Sequence, residues 1–241
     1  MKPEIHPDHH LTIVFDCDGV VLNSNRIKTE AFYQATLSFG ESAARAMVDY
    51  HVANGGVSRY VKLAYFLEHI APSAATDAMP KGLEQLLADY SAAVKQGFLE
   101  CEMADGLSEL REQTQAARWM IVSGGDQAEL REVFAARGIA GLFDGGIFGS
   151  PDAKPEILAR EIANGHIQHP AIFLGDSQYD YQCAKAAGLD FVFIHGWTEV
   201  ADWQQFVADK AILTVKNISD ALWAIRDAQA MVLSTHNRPS L

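Results

Sequence analysis

Two carboxylates, Asp16 and Asp18, follow directly after a short apolar run at residues 13–15. An apolar run of this length that contains β-branched residues is typical of a buried strand. At the carboxyl end of that strand, the two acids would face the crevice in which open α/β sheets bind ligands. Because buried charges need partners or a metal, this pair predicts a magnesium site with a carboxylate nucleophile.

Polar residues also follow two later apolar runs of the chain. Ser123 and Gly124 come directly after one run, and Asp176 and Asp180 come after the other. In a parallel sheet these groups would lie at the same edge as the first two acids. A serine and glycine turn that leads into a helix offers a hydroxyl and free backbone N–H groups, which suit a phosphate. Taken alone, each group has an ordinary explanation as a connecting turn or a helix cap.

The elements that must position these residues can be predicted from the apolar pattern. Short apolar runs alternate with amphipathic segments from about residue 106 onward, which is typical of βαβ units and a parallel sheet. The predicted strands cover residues 13–15, 119–122, 143–148, 171–174, 191–194 and 211–215. The predicted helices of this part cover residues 107–117, 127–137, 155–164, 179–187, 200–207 and 218–232.

Residues 25–100 have a helical pattern and no convincing strand. Tyr60, Leu63 and Leu67 share one face of a helix, because their spacing is i, i+3 and i+7. A loop is expected at residues 71–77, which are rich in small and polar residues. This pattern predicts an all-helical domain inserted after the first strand.

Composition and charge exclude several classes of protein. The chain has 241 residues, 49% of them apolar, and a formal net charge of −12, which disfavours nucleic acid or an anionic membrane as the partner. No apolar run approaches the about 20 residues of a membrane span, and the polar start has no signal-peptide core. The three cysteines are scattered and odd in number, which favours a reducing compartment. We therefore expect a cytoplasmic protein with a small-molecule partner.

The N-terminal histidines are a further candidate for metal binding. His6, His9 and His10 could chelate a metal weakly, but a solvated and mobile terminus explains them better.

The motifs, taken in order, resemble those of the haloacid dehalogenase-like (HAD) hydrolase superfamily. They are Asp-x-Asp-Gly from Asp16, Ser-Gly-Gly from Ser123, Lys-Pro from Lys154 and Gly-Asp-x-x-x-Asp from Gly175. The resemblance covers about residues 8–22 and 103–225, and the helical segment between the first two motifs resembles the C1-type cap of that family.

The resemblance implies an α/β fold, with a Rossmann-like parallel-sheet core and an inserted all-helical C1-type cap domain. The catalytic core would comprise residues 1–22 and 101–241, and the cap domain residues 23–100.

The resemblance also implies a role for each motif. Asp16 would attack phosphorus and form an aspartyl-phosphate. Asp18 would protonate the leaving oxygen and then activate water, so the environments of the two acids should differ. Ser123 and the amide of Gly124 would hold phosphoryl oxygens. Lys154 would neutralise the charge that Asp16 shares with the phosphate.

The cofactor implied by the resemblance is Mg²⁺, which prefers oxygen ligands. It would bind the Asp16 carboxylate, the backbone carbonyl of Asp18 and the Asp176 carboxylate. Asp180 would support these ligands or bind the ion through water. Asp18 also separates phosphoryl transfer from dehalogenation, because a halide leaves without a proton whereas an alkoxide needs one.

The cap is expected to recognise the rest of the substrate. Gly55 and Gly56 interrupt the helical pattern, and Ser58 could cap the helix that follows. A glycine pair flanked by polar and basic residues suits a specificity loop that closes on the core. Four polar residues around this break are the candidate substrate contacts: Arg59, Asn54, Lys62 and His51.

These features together predict a Mg²⁺-dependent phosphomonoester hydrolase that acts on a small phosphorylated metabolite, with a sugar or sugar-acid phosphate favoured. The alternative is a sugar phosphomutase of the β-phosphoglucomutase type, an isomerase that uses the same aspartyl-phosphate. Gly175 stands where some mutases carry a second acid, which favours hydrolysis. A binding or regulatory protein that has kept the fold is disfavoured by the complete set of acids, serine and lysine.

Overall fold

The structure is a computed structural model that describes residues 10–73 and 81–221. Its centre is a six-stranded sheet in which all neighbouring strands are parallel. The strands are β1 (Thr12–Phe15), β2 (Arg118–Asp126), β3 (Gly146–Ser150), β4 (Ala171–Gly175), β5 (Asp190–Ile194) and β6 (Leu213–Val215). Their order is β3-β2-β1-β4-β5-β6, which places β1 at the centre of the sheet.

The sheet is covered on both faces, and this explains why its strands are almost wholly apolar. Successive side chains of a strand point to opposite faces. Ile13 and Phe15 of β1 accordingly belong to one apolar cluster, whereas Val14 belongs to the other. Trp119 and Met120 of β2 divide between the clusters in the same way.

The helices of residues 10–73 and 81–221 fall into two groups. The helices that follow β1 and form the cap are α1 (Asn25–Thr36), α2 (Glu41–Ala53), α3 (Arg59–Tyr65) and α4 (Leu83–Glu100). The helices that alternate with the later strands are α5 (Leu107–Gln113), α6 (Gln127–Ala136), α7 (Lys154–Ala163), α8 (Gln178–Ala186) and α9 (Trp203–Lys210).

The cap helices pack around a small aromatic centre. Phe32 of α1 lies 4.5 Å, between ring centroids, from both His51 of α2 and Tyr90 of α4. All three side chains are buried. Helix α3 begins at Arg59 because the Ser58 side chain accepts a hydrogen bond from the backbone N–H of Tyr60, as the sequence predicts.

The predicted α/β fold, with its parallel-sheet core and inserted helical cap, is confirmed. Several predicted bounds were wrong by a few residues: α5 ends at residue 113 rather than 117, β3 begins at 146 rather than 143, and α9 begins at 203 rather than 200. The predicted last helix begins at residue 218 but lies mostly outside the described residues, as does most of the predicted loop 71–77.

The prediction for His10 was wrong. Its side chain is buried, and Nε2 lies 2.9 Å from Asp190 Oδ2 at the start of β5. The backbone N–H of Leu11 donates to the carbonyl of Pro170, so the chain is already fixed beside the sheet at this point. His6 and His9 lie outside the described residues.

Within the described residues, none of the helices is long and apolar enough to cross a membrane.

Candidate active site

The two acids that follow β1 lie at the carboxyl edge of the sheet, between β2 and β4. The backbone N–H of Asp16 donates to the carbonyl of Leu174, which continues the pairing with β4 by one residue. Asp16 Oδ1 accepts a hydrogen bond of 2.7 Å from the N–H of Cys17. Both Asp16 and Asp18 are buried. The central strand therefore holds its acids rigidly at the edge that binds ligands in such sheets.

The chain then turns sharply at Gly19, which has φ +74°. A Cβ atom at this position would lie 2.1 Å from Asp176 Oδ2. The turn therefore brings the backbone after Asp18 into close contact with the acid of β4, and only glycine combines that φ with that space.

The acids after β4 join the same cluster. One carboxylate oxygen each of Asp16, Asp176 and Asp180 lies within 4.8 Å of the others, and all three residues are buried. Asp180 also accepts hydrogen bonds from the backbone and hydroxyl of Ser177, which form a capping box at the start of α8. This second role fixes the position of Asp180.

Lys154 supplies the positive charge of this cluster. It begins α7, after β3, and its side chain is buried. Its Nζ lies 3.0 Å from Asp16 Oδ2 and forms a further ion pair with Asp180 Oδ1. Burial lowers the pKa of Lys154, but the two carboxylates outweigh it and raise the pKa above the usual range. The lysine therefore stays charged.

Ser123 and Gly124 lie at the end of β2, beside the first acids. Ser123 Oγ is 3.5 Å from Asp18 Oδ2 and accepts a hydrogen bond from the N–H of Gly125. A Cβ atom at Gly124 would lie 2.3 Å from the carbonyl oxygen of Gly56 in the cap. The core and the cap thus touch directly at this glycine.

The acid cluster carries more negative charge than its protein partners offset. Burial, followed by repulsion from Asp16 and Asp180, raises the pKa of Asp176 well above its usual value. Burial likewise raises the pKa of Asp16 to about 7, against the opposing effect of Lys154. Among the described residues, the carboxylate of Asp176 receives a hydrogen bond only from the neutral amide of Asn25.

This donor set fits a hard divalent cation. Three buried carboxylates converge, and two of them are difficult to ionise without an additional positive charge. Oxygen ligands of this kind are those that Mg²⁺ prefers. Asp180 belongs to the same cluster, although its oxygens already bond to Lys154 and Ser177.

Three residues that sequence reasoning missed contact the acids from the first turn of the cap. Ser24 Oγ donates to Asp18 Oδ1 at 2.6 Å, and Lys28 forms an ion pair with Asp18 Oδ2. Asn25 Nδ2 donates to Asp176 Oδ2 at 2.7 Å. Asn25 and Lys28 are three residues apart at the start of α1, so they lie on one face of the helix. This spacing is the sequence signal that could have indicated a polar face toward the acids.

Lys28 determines the charge of Asp18. Burial raises the pKa of Asp18, but the Lys28 ammonium and the hydrogen bonds from Lys28 and Ser24 outweigh it, so the pKa lies below its usual value. The environments of the two predicted catalytic acids therefore differ, as the resemblance implies. Their pKa values are, however, shifted opposite to the order expected for an ionised nucleophile and a protonated acid.

A cavity separates these core residues from the cap. Asp16, Asp18 and Asp176 line its floor. The cap residues with large side chains that line it are Lys28, Phe32, His51, Arg59, Lys62 and Tyr90. Three of the four predicted cap contacts therefore face this cavity. The fourth, Asn54, lines a neighbouring cavity, and its amide donates to the carbonyl of Tyr50.

The haloacid dehalogenase-like hydrolase family matches residues 10–188, which is most of the chain and includes all four motifs. The chain belongs to this family. A search of the curated proteins found no match.

Solved structures of similar fold carry names from this family's phosphatases and phosphomutases. A "predicted phosphoglycolate phosphatase" from Haemophilus somnus 129PT is 18% identical, with a TM-score of 0.69 over 88% of this chain and 96% of that one. A provisionally named β-phosphoglucomutase from Thermotoga maritima is 19% identical, with a TM-score of 0.60 over 90% and 98%. CbbY from Rhodobacter sphaeroides, in complex with phosphate, is 17% identical, with a TM-score of 0.62 over 90% and 99%. At these identities the likeness shows the fold alone.

Proposed function

We propose that this member of the haloacid dehalogenase-like hydrolase family is a Mg²⁺-dependent phosphomonoester hydrolase that forms an aspartyl-phosphate. The observation that carries the proposal is the convergence of Asp16, Asp18, Ser123 and Lys154 at one sheet edge, beneath a cavity that the cap closes. The candidate ion-binding acid Asp176 lines the same cavity.

In the proposed reaction, an Asp16 carboxylate oxygen attacks the phosphorus atom, and the bond from phosphorus to the ester oxygen breaks. Asp18 gives its proton to the departing oxygen. It then takes a proton from the water that attacks the aspartyl-phosphate, which releases phosphate and restores both acids. Lys154 and Ser123 hold the phosphoryl oxygens and reduce the charge that builds up on them.

The ion would be held by the carboxylates of Asp16 and Asp176 and by the backbone carbonyl of Asp18. When bound, it supplies positive charge that polarises the phosphoryl group and favours the ionised form of the neighbouring acids.

The Lys28 ion pair suits only one half of this reaction. An ionised Asp18 can accept a proton from water, as the second step requires. To donate a proton in the first step, Asp18 must be protonated, and this requires its pair with Lys28 to be broken. Because Lys28 lies on α1, at the start of the cap, movement of the cap would change this pairing.

Hydrolysis is favoured over the alternative phosphomutase reaction by the space around Gly175. A Cβ atom there would lie 2.5 Å from Asp180 Cβ. A second acid at this position, which some mutases carry, would therefore displace Asp180.

The proposed substrate is a small phosphorylated metabolite, because the cap encloses the space above the acids. Among such metabolites, a sugar or sugar-acid phosphate remains the favoured class, as in the sequence-based prediction. We also propose the division into a core of residues 1–22 and 101–241 and a cap of residues 23–100, and a cytoplasmic location.

Phosphate release from p-nitrophenyl phosphate tests this function. The wild-type protein should release phosphate with Mg²⁺ and lose activity with a chelator. Asp16→Asn should be slower by about 1,000-fold or more, because the amide is a poor nucleophile. Asp209→Asn, which changes an exposed acid of α9, is the matched control and should retain activity. Full activity in Asp16→Asn would refute the proposal, whereas bisphosphate-dependent interconversion of sugar phosphates without net release would favour the mutase.

A further inference from the structure

We propose that the cap side of the cavity binds a carboxylate on the alcohol part of the substrate, and that Lys62 is its main contact. This inference rests on the proposed hydrolase function and narrows its substrates to phosphate esters of hydroxy acids.

The first observation is that Lys62 is a buried cation without an acidic partner among the described residues. Its side chain is 1% exposed, and it lines the cavity above the catalytic acids. Its Nζ lies 2.7 Å from His51 Nδ1 and 3.4 Å from the carbonyl oxygen of His51. No carboxylate of residues 10–73 or 81–221 forms an ion pair with it. A buried ammonium without an opposite charge is costly, so this position is suited to an anion that comes from the substrate.

The other buried cations of the site already have acidic partners. Lys28 pairs with Asp18, and Arg59 pairs with Glu129 of α6. Lys154, at the edge of the sheet, pairs with two acids of the cluster. Lys62 differs from these three cations because it has no acidic partner among the described residues. An ammonium group has three donors, and the protein contacts of Lys62 account for two at most.

The electrostatics around Lys62 are consistent with a missing anion. Burial, followed by repulsion from Lys28, lowers the pKa of Lys62 to about 7, although Asp18 and Glu199 oppose the shift. Burial and the neighbouring Lys62 lower the pKa of His51 to about 2, so its ring is neutral and can accept a hydrogen bond from Lys62, but it carries no negative charge. Glu199 also lines the cavity, but its carboxylate accepts a hydrogen bond from Thr29.

A second unmet donor lies on the same helix face. The guanidinium of Arg59 is buried and contacts Ser91 Oγ and Glu129, yet its Nε has no hydrogen-bond partner among the described residues. Arg59 and Lys62 are three residues apart on α3, so their side chains are neighbours on one face. Both line the cavity. A carboxylate, with two acceptor oxygens, could satisfy both donors, whereas an alcohol offers one oxygen without charge.

This arrangement predicts selectivity as well as binding. A site that is built to pair with a polar group of the substrate discriminates strongly against an analogue without that group, because its buried donors are then left unsatisfied. A neutral phosphate ester should therefore be hydrolysed more slowly than the matched ester that carries a carboxylate.

Two matched pairs of esters test the inference: 2-phosphoglycolate against 2-hydroxyethyl phosphate, and 3-phosphoglycerate against glycerol 1-phosphate. In each pair only the carboxylate is exchanged for an alcohol. We expect wild-type kcat/KM to favour at least one acid over its neutral partner by about tenfold or more. Lys62→Met should remove most of this preference, because it should lower kcat/KM for the acid more than for the neutral ester, and Lys62→Arg should retain part of it.

The matched control is Lys95→Met, which changes a lysine of α4 with a 67% exposed side chain. It should leave the preference unchanged. Equal rates on both members of each pair, or a preference that survives in Lys62→Met, would overturn the carboxylate site and leave the hydrolase function intact. Failure of the proposed function is recognised separately, by the absence of Mg²⁺-dependent release from p-nitrophenyl phosphate.

Discussion

Replacing Lys62 with methionine should stabilise the protein, and the gain should depend on pH in a defined direction. Methionine is similar in length and apolar, so it can occupy the space beside His51 and Phe32 without a charge. The wild-type lysine has a pKa of about 7 in the folded protein and 10.5 as its ordinary value. Between these pH values the unfolded chain binds up to one more proton than the folded chain.

The sign of the effect follows from this proton difference. Because the unfolded state binds more protons, the free energy of unfolding of the wild type falls as pH decreases from about 10.5 to about 7, and the loss levels off below 7. The limiting slope is about 1.4 kcal/mol per pH unit. Between pH 9 and pH 7 the wild type should therefore lose up to about 2 kcal/mol relative to the variant.

Urea denaturation of both proteins at pH 6, 7, 8 and 9, at constant ionic strength and with a chelator, measures this difference. The other titratable groups around Lys62 are present in both proteins, so their contributions to the pH dependence largely cancel when the two proteins are compared. The energetic cost of packing methionine does not change with pH, so it does not alter how the difference varies with pH. Lys95→Met is the control and should give a difference that does not vary with pH, because its side chain is 67% exposed. A flat difference between wild type and Lys62→Met from pH 9 to pH 7 would refute the conclusion that Lys62 is buried without a counter-charge.

Three further predictions concern the contacts between core and cap and the centre of the sheet. Gly124→Ala should slow p-nitrophenyl phosphate hydrolysis by about tenfold or more, because its Cβ would meet the Gly56 carbonyl at 2.3 Å; full activity would contradict this close approach. Tyr60→Phe removes a 2.8 Å hydrogen bond to Asp126 of the core and should raise KM several-fold, because the closed cap loses about 1 kcal/mol of stabilisation. An unchanged KM would show that this bond does not hold the cap closed. Trp119→Ala should lower the free energy of unfolding by about 3–5 kcal/mol in urea, since its indole is fully buried, and a loss below about 1 kcal/mol would be inconsistent with that packing.

The sheet and the positions of its acids could be predicted because the signals are local. A strand buried on both faces must be apolar along its length, so the change to Asp16 after β1 and to Asp176 after β4 marks the strand ends in the sequence itself. Parallel pairing then requires these ends to lie at one edge. The contact between Asp16 and Lys154 follows from the same rule, because α7 begins directly beyond β3.

The partners that the cap supplies could not be predicted in this way. Lys28 and Asn25 are ordinary polar residues at the start of a helix, and they reach Asp18 and Asp176 only because α1 packs back over the edge of the sheet. The burial of His10 likewise depends on Asp190, which is 180 residues away.

The sequence by itself therefore determined the fold and the acidic edge, because each apolar strand run and the motif that follows it consist of neighbouring residues. Only the tertiary structure decided how charge is distributed at that edge. Within the part of the chain that the structure describes, it pairs Asp18 with Lys28, leaves the Asp176 carboxylate with a neutral donor and leaves Lys62 without an acidic partner. Electrostatic interactions act through space between elements that are distant in the chain, so the protonation and selectivity of the site depend on how the cap packs on the core.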